Sequence, residues 1–229
     1  MPPRPTDAPY HLGLTPDRIV EEALALTERS HLFGWSLRDL AHRVGVTVSV
    51  ITHHVGAKDR LLYRVVEKAL ADLVPPTDDL DWENWFRAML HEIRRPLRRY
   101  PGTAKWVLLH GPAFSSIMPM IDTGIAALQR AGFGDKTGLA YATLFNNAVM
   151  TIAFADERLA DQGDGSRDHE LMMSTLRQTG TDRPGMATLD ATLMTAFSTG
   201  SSTVAQAQDT YYTFVVDTTI TGLRALLGR

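Results

Sequence analysis

Apolar residues recur along this chain at intervals of three and four, with no convincing strand pair and no internal repeat, which predicts helices throughout. The first stripe is Ile19, Val20, Ala23, Leu24 and Leu26. It opens on Thr15-Pro16-Asp17, a capping hydroxyl, a proline at the first helical position and an acid near the positive helix end. Gly34 closes that unit. Ser36 caps a second, short helix carrying Leu37, Leu40, Ala41 and Val44. Gly45 follows as a left-handed stop, where only glycine escapes the Cβ penalty. Thr47 caps a third helix with Val50, Ile51 and Val55 inward. A fourth begins near Ala57 with the stripe Leu61, Leu62, Val65, Val66, Ala69, Leu70 and Leu73. Pro75-Pro76 then breaks the chain and marks a domain boundary.

Beyond it, Trp82, Trp85, Phe86, Met89, Leu90, Ile93 and Leu97 form one apolar face. Pro96 lies inside that helix and predicts a kink or an early end. Shorter helices are expected over residues 103–110 and 115–131. A long one, about 136–160, is apolar on most sides and so needs several partners. Residues 161–185 are rich in Gly, Asp, Thr and Ser and predict a loop, with one helix over 169–177. Two helices, 187–197 and 204–227, close the chain.

Composition narrows what such a chain does. Of 229 residues, 44% are hydrophobic, enough for a sizeable core. There is no cysteine, so thiolate chemistry and Cys-based metal sites are excluded, and a reducing cytoplasm is the expected setting. No apolar run is long enough to cross a bilayer, and no membrane partner is expected. The proline-rich residues 1–13 lack an apolar signal core and are expected to form a mobile arm. Net charge is −3. Its distribution is uneven: residues 36–64 hold five basic and two acidic side chains, a local +3 on an otherwise acidic protein. A basic island of this kind suits nucleic acid.

The island coincides with a motif. Short helices joined by a tight turn at Gly45 make a helix-turn-helix. Ala41 sits at the helix crossing, where a larger side chain has no room, and Ile51 packs the second helix onto the first. Thr47, Val48, Ser49, Thr52 and His53 are left facing out, on the side that enters a major groove in this motif. Residues 15–62 resemble the DNA-binding domain of TetR-like transcriptional regulators. The usual Gly-Val-Ser-Lys-Gly-Thr-Leu-Tyr-His-His-Phe is matched without a gap by Gly45-Val46-Thr47-Val48-Ser49-Val50-Ile51-Thr52-His53-His54-Val55, then Lys58-Asp59 and Leu61-Leu62. The SLRDLAHRVGV segment before it fits equally well. DWENWFRAMLHEIRRPLRRYPG resembles the start of the regulatory domain in tetracycline-repressor-like members.

The resemblance implies an all-α fold. A helix-turn-helix DNA-binding domain (14–74) is followed by a larger helical ligand-binding and dimerisation domain (77–229). It implies a sequence-specific DNA-binding regulator acting as a homodimer, a repressor that a small-molecule effector releases from its double-stranded operator. Departures matter: Val48 replaces the usual lysine, Thr52 the tyrosine and Val55 the phenylalanine. Two groups that often touch phosphate are therefore missing, and Ser36, Arg38, Thr47, His53 and Lys58 are left to bear backbone contacts. Val48 suits a thymine methyl and Thr52 a hydroxyl contact. Lys58, at the amino end of the fourth helix, adds charge to an anion site. The missing groups also motivate an alternative, a helical small-molecule-binding protein whose motif grips DNA weakly or not at all.

Elsewhere the chemistry is sparse. His53 and His54 point about 100° apart on a helix and cannot share one metal; His54 is expected to pack on the first helix. The ADQGDGSRDHE stretch fails as a calcium loop, because glycines fall at two ligand positions. No nucleophile elbow, phosphate loop or His-Glu-x-x-His occurs, so neither catalysis, a metal nor a cofactor is expected. Aromatic, methionine and polar side chains in the second domain are candidates to line an effector pocket: Trp106, His110, Phe114, Met118, Tyr141, Asn146 and Asn147. A short recognition helix buries too little surface alone, so two copies must grip two half-sites. The long helices at 136–160 and 204–227 are the expected two-fold interface. By resemblance, the stretch from Leu61 to Leu73 carries the effector signal to the DNA-binding helices.

Overall fold

The structure is a computed structural model that describes residues 14–112, 114–159, 169–180, 183–197 and 202–227. The expected arm, and all of the calcium-loop look-alike except its last two residues, lie outside these ranges. Among the described residues there are eleven α-helices, three short 3-10 turns and no strand.

The first four helices are set by local signals. Helix α1 (Pro16–Arg29) starts where Thr15 Oγ1 accepts the Arg18 N–H at 3.2 Å. Helix α2 (Leu37–Val44) is closed at its amino end by a reciprocal box: Asp39 N–H donates to Ser36 Oγ, and Ser36 N–H to Asp39 Oδ2. Gly45 ends it at φ 75°, ψ 33°, a left-handed cap. Helix α3 (Val48–Val55) follows after two residues, and α4 (Lys58–Leu70) after Gly56. Ile19, Leu40, Ile51, Leu61 and Val65 are fully buried between these helices. At roughly 1.5–3 kcal/mol for each such side chain, this small core is enough to fix the crossing of α2 and α3.

The second domain is built around one long helix. Helix α5 (Trp82–Arg99) is capped by Asp81, which accepts the Asn84 N–H at 2.9 Å. It does not stop at Pro96. The proline leaves one carbonyl without its donor, yet Tyr100 N–H still reaches Pro96 O at 3.0 Å and carries the helix to Arg99. Helix α6 (Thr103–His110) follows directly. The stretch expected as one helix over 115–131 is divided, a 3-10 turn (Ser115–Ile117) and then α7 (Met118–Arg130). Pro119, which has no N–H to give, marks the α-helical start. Helix α8 (Thr137–Leu159) packs against α5, α6, α7 and α11. By length and hydropathy alone α8 would cross a bilayer, contrary to the sequence expectation; its four helical neighbours make it a core helix instead. Helices α9 (His169–Gly180), α10 (Pro184–Thr192) and α11 (Ser202–Leu227) complete the chain. Arg224 pairs with Glu83 and Arg87 with Asp217, fastening α11 to α5.

Candidate nucleic-acid interface and effector cavity

Helix α3 differs from the expected facing at two positions: Val48 packs partly against the core, and Val50, expected inward, is half-buried outside it. Ile51 and Val55, one turn apart, fill its buried face. Thr47, Ser49 and His53 are exposed, and Val48 and Thr52 half-buried. Thr47 stands at the cap position but makes no cap bond; its hydroxyl and that of Ser49 share a hydrogen bond of 2.9 Å. Thr52 Oγ1 donates back to the carbonyls of Val48 (3.2 Å) and Ser49 (3.1 Å). Its single proton is thus used, and Thr52 meets a partner as an acceptor. His54 is exposed and edge-on to His53 rather than packed on α1, because Ile51 and Val55 already occupy the inward face.

The basic island is partly spent inside the protein. Arg43 pairs with Glu22 at 2.5 Å and Arg64 with Asp17 at 3.0 Å, both on α1. Lys58 Nζ donates to the Trp35 carbonyl at 2.7 Å and lies over the Trp35 ring at 5.2 Å. That ring is itself anchored, its Nε1–H donating to Thr27 Oγ1 at 3.0 Å. Lys58 therefore fixes the start of α4 to the start of α2 and keeps two N–H groups for another acceptor. Ser36 Oγ donates to Asp39 Oδ2 at 2.7 Å, and these bonds hold the Asp39 carboxyl below the usual aspartate range. Arg38 and Arg60 are exposed on the same domain.

A cavity of about 440 Å³ opens in the second domain. Its walls come from the end of α5 (Arg94, Arg98), the turn at Pro101, the last turns of α8 (Asn147 to Arg158), Ala196 and α11 (Gln208, Tyr211, Val215). Of the seven residues expected to line a pocket, Asn147 is the one that lines this cavity; its Nδ2–H donates to Thr219 Oγ1 at 3.2 Å. Trp106, Phe114 and His110 form an aromatic cluster with Tyr63 of α4, joining the two domains. Tyr141 stacks on Phe145 and meets Phe86 edge-on; burial pushes its phenol up to about 12. Met118 and Asn146 are exposed. What sequence reasoning passed over was charge set in an apolar context, Asp156 and Arg158 near the end of α8 and the Arg-Arg-Pro-Leu-Arg-Arg run of α5.

Asp156 is the most constrained of these. It is 7% exposed, and burial, with help from Glu157, raises its carboxyl to about 7 against the opposing pull of Gly102 N–H and Arg98. Gly102 N–H donates to its Oδ2 at 3.1 Å. One residue earlier, the Pro101 carbonyl accepts the Leu32 N–H at 2.8 Å. Leu32 and His31 belong to the loop between α1 and α2, so cavity wall and DNA-binding domain meet through this turn. Glu157 lies 3.4 Å from His31 Nε2 and pairs with Lys105 at 2.8 Å. Among the described residues no cluster of three His, Cys, Asp or Glu could hold a metal.

A helix-turn-helix with an open polar face, coupled to a helical domain that holds a cavity, defines a two-domain DNA-binding regulator. Residues 74–227 match the family described as tetracyclin repressor-like, C-terminal domain. The chain is 27% identical over 175 residues to an HTH-type transcriptional regulator of Saccharopolyspora erythraea, covering 76% of this chain and 74% of that one. It is 28% identical over 167 residues to the class A tetracycline repressor protein from transposon 1721 of Escherichia coli, covering 67% and 72%. Its fold is similar to that of ActR from Streptomyces coelicolor (TM-score 0.72, 20% identity, 96% of this chain and 99% of that one), which has also been solved in complex with actinorhodin. The chain belongs to the tetracycline-repressor-like family of transcriptional regulators, which are DNA-binding proteins and not enzymes.

Proposed function

We propose that this protein is a homodimeric repressor that acts in the cytoplasm and leaves its operator when a small molecule fills the cavity between α5, α8 and α11. The observation that carries the reading is the junction at Pro101-Gly102. One residue of this turn lines the cavity and holds Leu32 of the DNA-binding domain, and the next is held by the cavity residue Asp156. A ligand that favours one arrangement of this turn favours one arrangement of the reading heads, which is all that release requires. The aromatic cluster of Tyr63 with Trp106 and Phe114 offers α4 a second link to the same domain.

The dimer reading rests on exposed faces of α8 and α11 that carry large apolar side chains. Leu139, Thr143 and Asn146 lie along one face of α8, which runs on into the cavity residues Met150 and Phe154, and Phe214, Thr218, Thr221 and Ala225 along one face of α11. Leu139, Phe214 and Phe154 are 72%, 66% and 55% exposed. Large apolar side chains exposed on two neighbouring helices suit a four-helix bundle between two copies. On DNA, Thr47, Val48, Ser49 and Thr52 face the bases, and Ser36, Arg38, His53 and Lys58 the phosphates.

Fluorescence anisotropy with DNA from upstream of its own gene, at two salt levels, tests this. A repressor binds tightly, prefers that sequence and weakens with salt; absence of any sequence preference refutes the reading. The engagement of Ser36 in its capping box and of Lys58 with Trp35 favours a second reading, a ligand-binding protein with feeble DNA affinity, which the same titration separates.

A further inference from the structure

Helix α3 and its cap carry three hydroxyl side chains, and the three are not equivalent. Thr47 and Ser49 bond to one another at 2.9 Å, so of their two protons one is left for a partner. Thr52 has none left. Its Oγ1 lies 3.2 Å from the Val48 carbonyl and 3.1 Å from the Ser49 carbonyl. A carbonyl only accepts, so the hydroxyl is the donor in both contacts. The backbone holds this arrangement. The threonine χ1 rotamers that a helix allows set Oγ1 against the carbonyls three and four residues back. Turning the proton outward gives up those bonds. Accepting with the remaining lone pairs gives up nothing, and a hydroxyl that already donates is the better acceptor.

This separates the two kinds of partner that DNA offers. Phosphate oxygens accept and do not donate, so the Thr52 hydroxyl has no bond to make with them. Base edges do donate. In the major groove the donors are the exocyclic amines, N6 of adenine and N4 of cytosine, whereas thymine O4 and guanine O6 and N7 accept. At thymine or guanine the Thr52 oxygen faces another acceptor, and both are desolvated without a bond.

We infer that Thr52 reads one base in each half-site as amino against keto. On the strand facing it, adenine or cytosine is favoured over thymine or guanine, and its hydroxyl makes no phosphate contact. The inference rests on the proposal that α3 reads bases in a major groove, and it adds the chemistry of one of those bases.

For the test, the full chain first selects from duplex DNA with a randomised core. Fluorescence anisotropy then measures every single base-pair change in the enriched site. Thr52→Val removes the hydroxyl and nearly keeps the shape. Its profile should match the wild type except at one position per half-site. There a preference for adenine or cytosine over thymine and guanine, about three- to tenfold, should be lost. Thr52→Ser, whose hydroxyl has the same back-bonds open to it, should keep that preference. Thr123→Val is the control: it removes a hydroxyl of α7 that donates to the Pro119 carbonyl at 2.8 Å, and should change no position. Base analogues then delete the amine itself, purine in place of adenine or 2-pyrimidinone in place of cytosine. The deletion should cost the wild type about three- to tenfold more per half-site than it costs Thr52→Val. Taking that difference cancels the weaker base pair, and circular dichroism confirms that each variant is folded. A lost preference for thymine or guanine, an unchanged profile, or a loss spread evenly over all sequences overturns the inference and leaves sequence-specific binding standing. So does an analogue that costs both proteins alike. A selection that enriches no sequence removes that binding, and the inference with it.

Discussion

The junction between the domains is held by a glycine with no room to change. Gly102 has φ 86° and ψ −15°, and a Cβ placed on it would lie 2.5, 2.7 and 2.9 Å from Cε1, Nε2 and Nδ1 of His31. The imidazole cannot simply swing aside. It is buried, its Nδ1 accepts the Phe33 N–H at 3.3 Å, and its Nε2 faces Glu157 at 3.4 Å. Gly102→Ala therefore meets two costs, about 1–2 kcal/mol for the left-handed backbone and about 1–3 kcal/mol for overpacking. Gly45→Ala separates them, because Gly45 is left-handed too (φ 75°, ψ 33°) but a Cβ there would have nothing within 4 Å. Urea unfolding at one fixed protein concentration should show Gly102→Ala less stable than Gly45→Ala by about 1–3 kcal/mol. In a double-mutant cycle, His31→Ala should relieve most of that excess, giving a favourable coupling of similar size. Equal costs for the two glycines, or strict additivity with His31→Ala, would refute the tight contact. Because Pro101 O holds Leu32 N–H, the same variant should also alter operator affinity, which Gly132→Ala, in open space at the end of α7, should not.

Burial raises the Asp156 carboxyl to about 7, so between about pH 4 and pH 7 the native protein keeps a proton that the unfolded chain has released. Stability from this group is fullest below about pH 4 and falls as pH rises to 7. Asp156→Asn, which keeps an acceptor for Gly102 N–H, should be near neutral at about pH 4 and increasingly stabilising as pH rises, by at most about 4 kcal/mol at pH 8. An unchanged difference between wild type and variant across that range, in thermal melts, would contradict the assignment. Thr52→Ala should relax operator specificity with modest loss of affinity, whereas Lys58→Ala should weaken all DNA alike, lower the salt slope and destabilise the first domain by freeing the Trp35 carbonyl; anisotropy against matched and mismatched DNA distinguishes them. Phe214→Glu should shift the protein from dimer to monomer by light scattering and remove tight operator binding with it; a dimer that survives would displace the interface from α11.

What could be seen in the sequence was what short stretches specify by themselves. Thr15-Pro16, Ser36 with Asp39, and Gly45 each fix a helix end through bonds made within four residues, and the structure places those ends where these residues stand. The inward pair Ile51 and Val55 follows from helical spacing alone. His54 shows the limit of the same logic, since spacing tells which residues share a face and not whether the face is already full. The cavity is a different kind of object. Its arginines, Asp156 and Tyr211 stand on α5, α8 and α11, more than a hundred residues apart from first to last, and no local rule brings them together. Trp106 and Phe114, expected at a pocket, pack with Tyr63 of α4, a contact that no local rule reveals. The informative signal was the reverse of apolarity, a carboxyl and guanidinium groups placed where an apolar helix had no structural need of them. Such groups cost stability when buried and persist where they meet a partner. In Asp156 the partner is the backbone of the turn whose Pro101 carbonyl accepts the Leu32 N–H, so the same buried carboxyl that burdens the fold also fastens the contact between the two helical units.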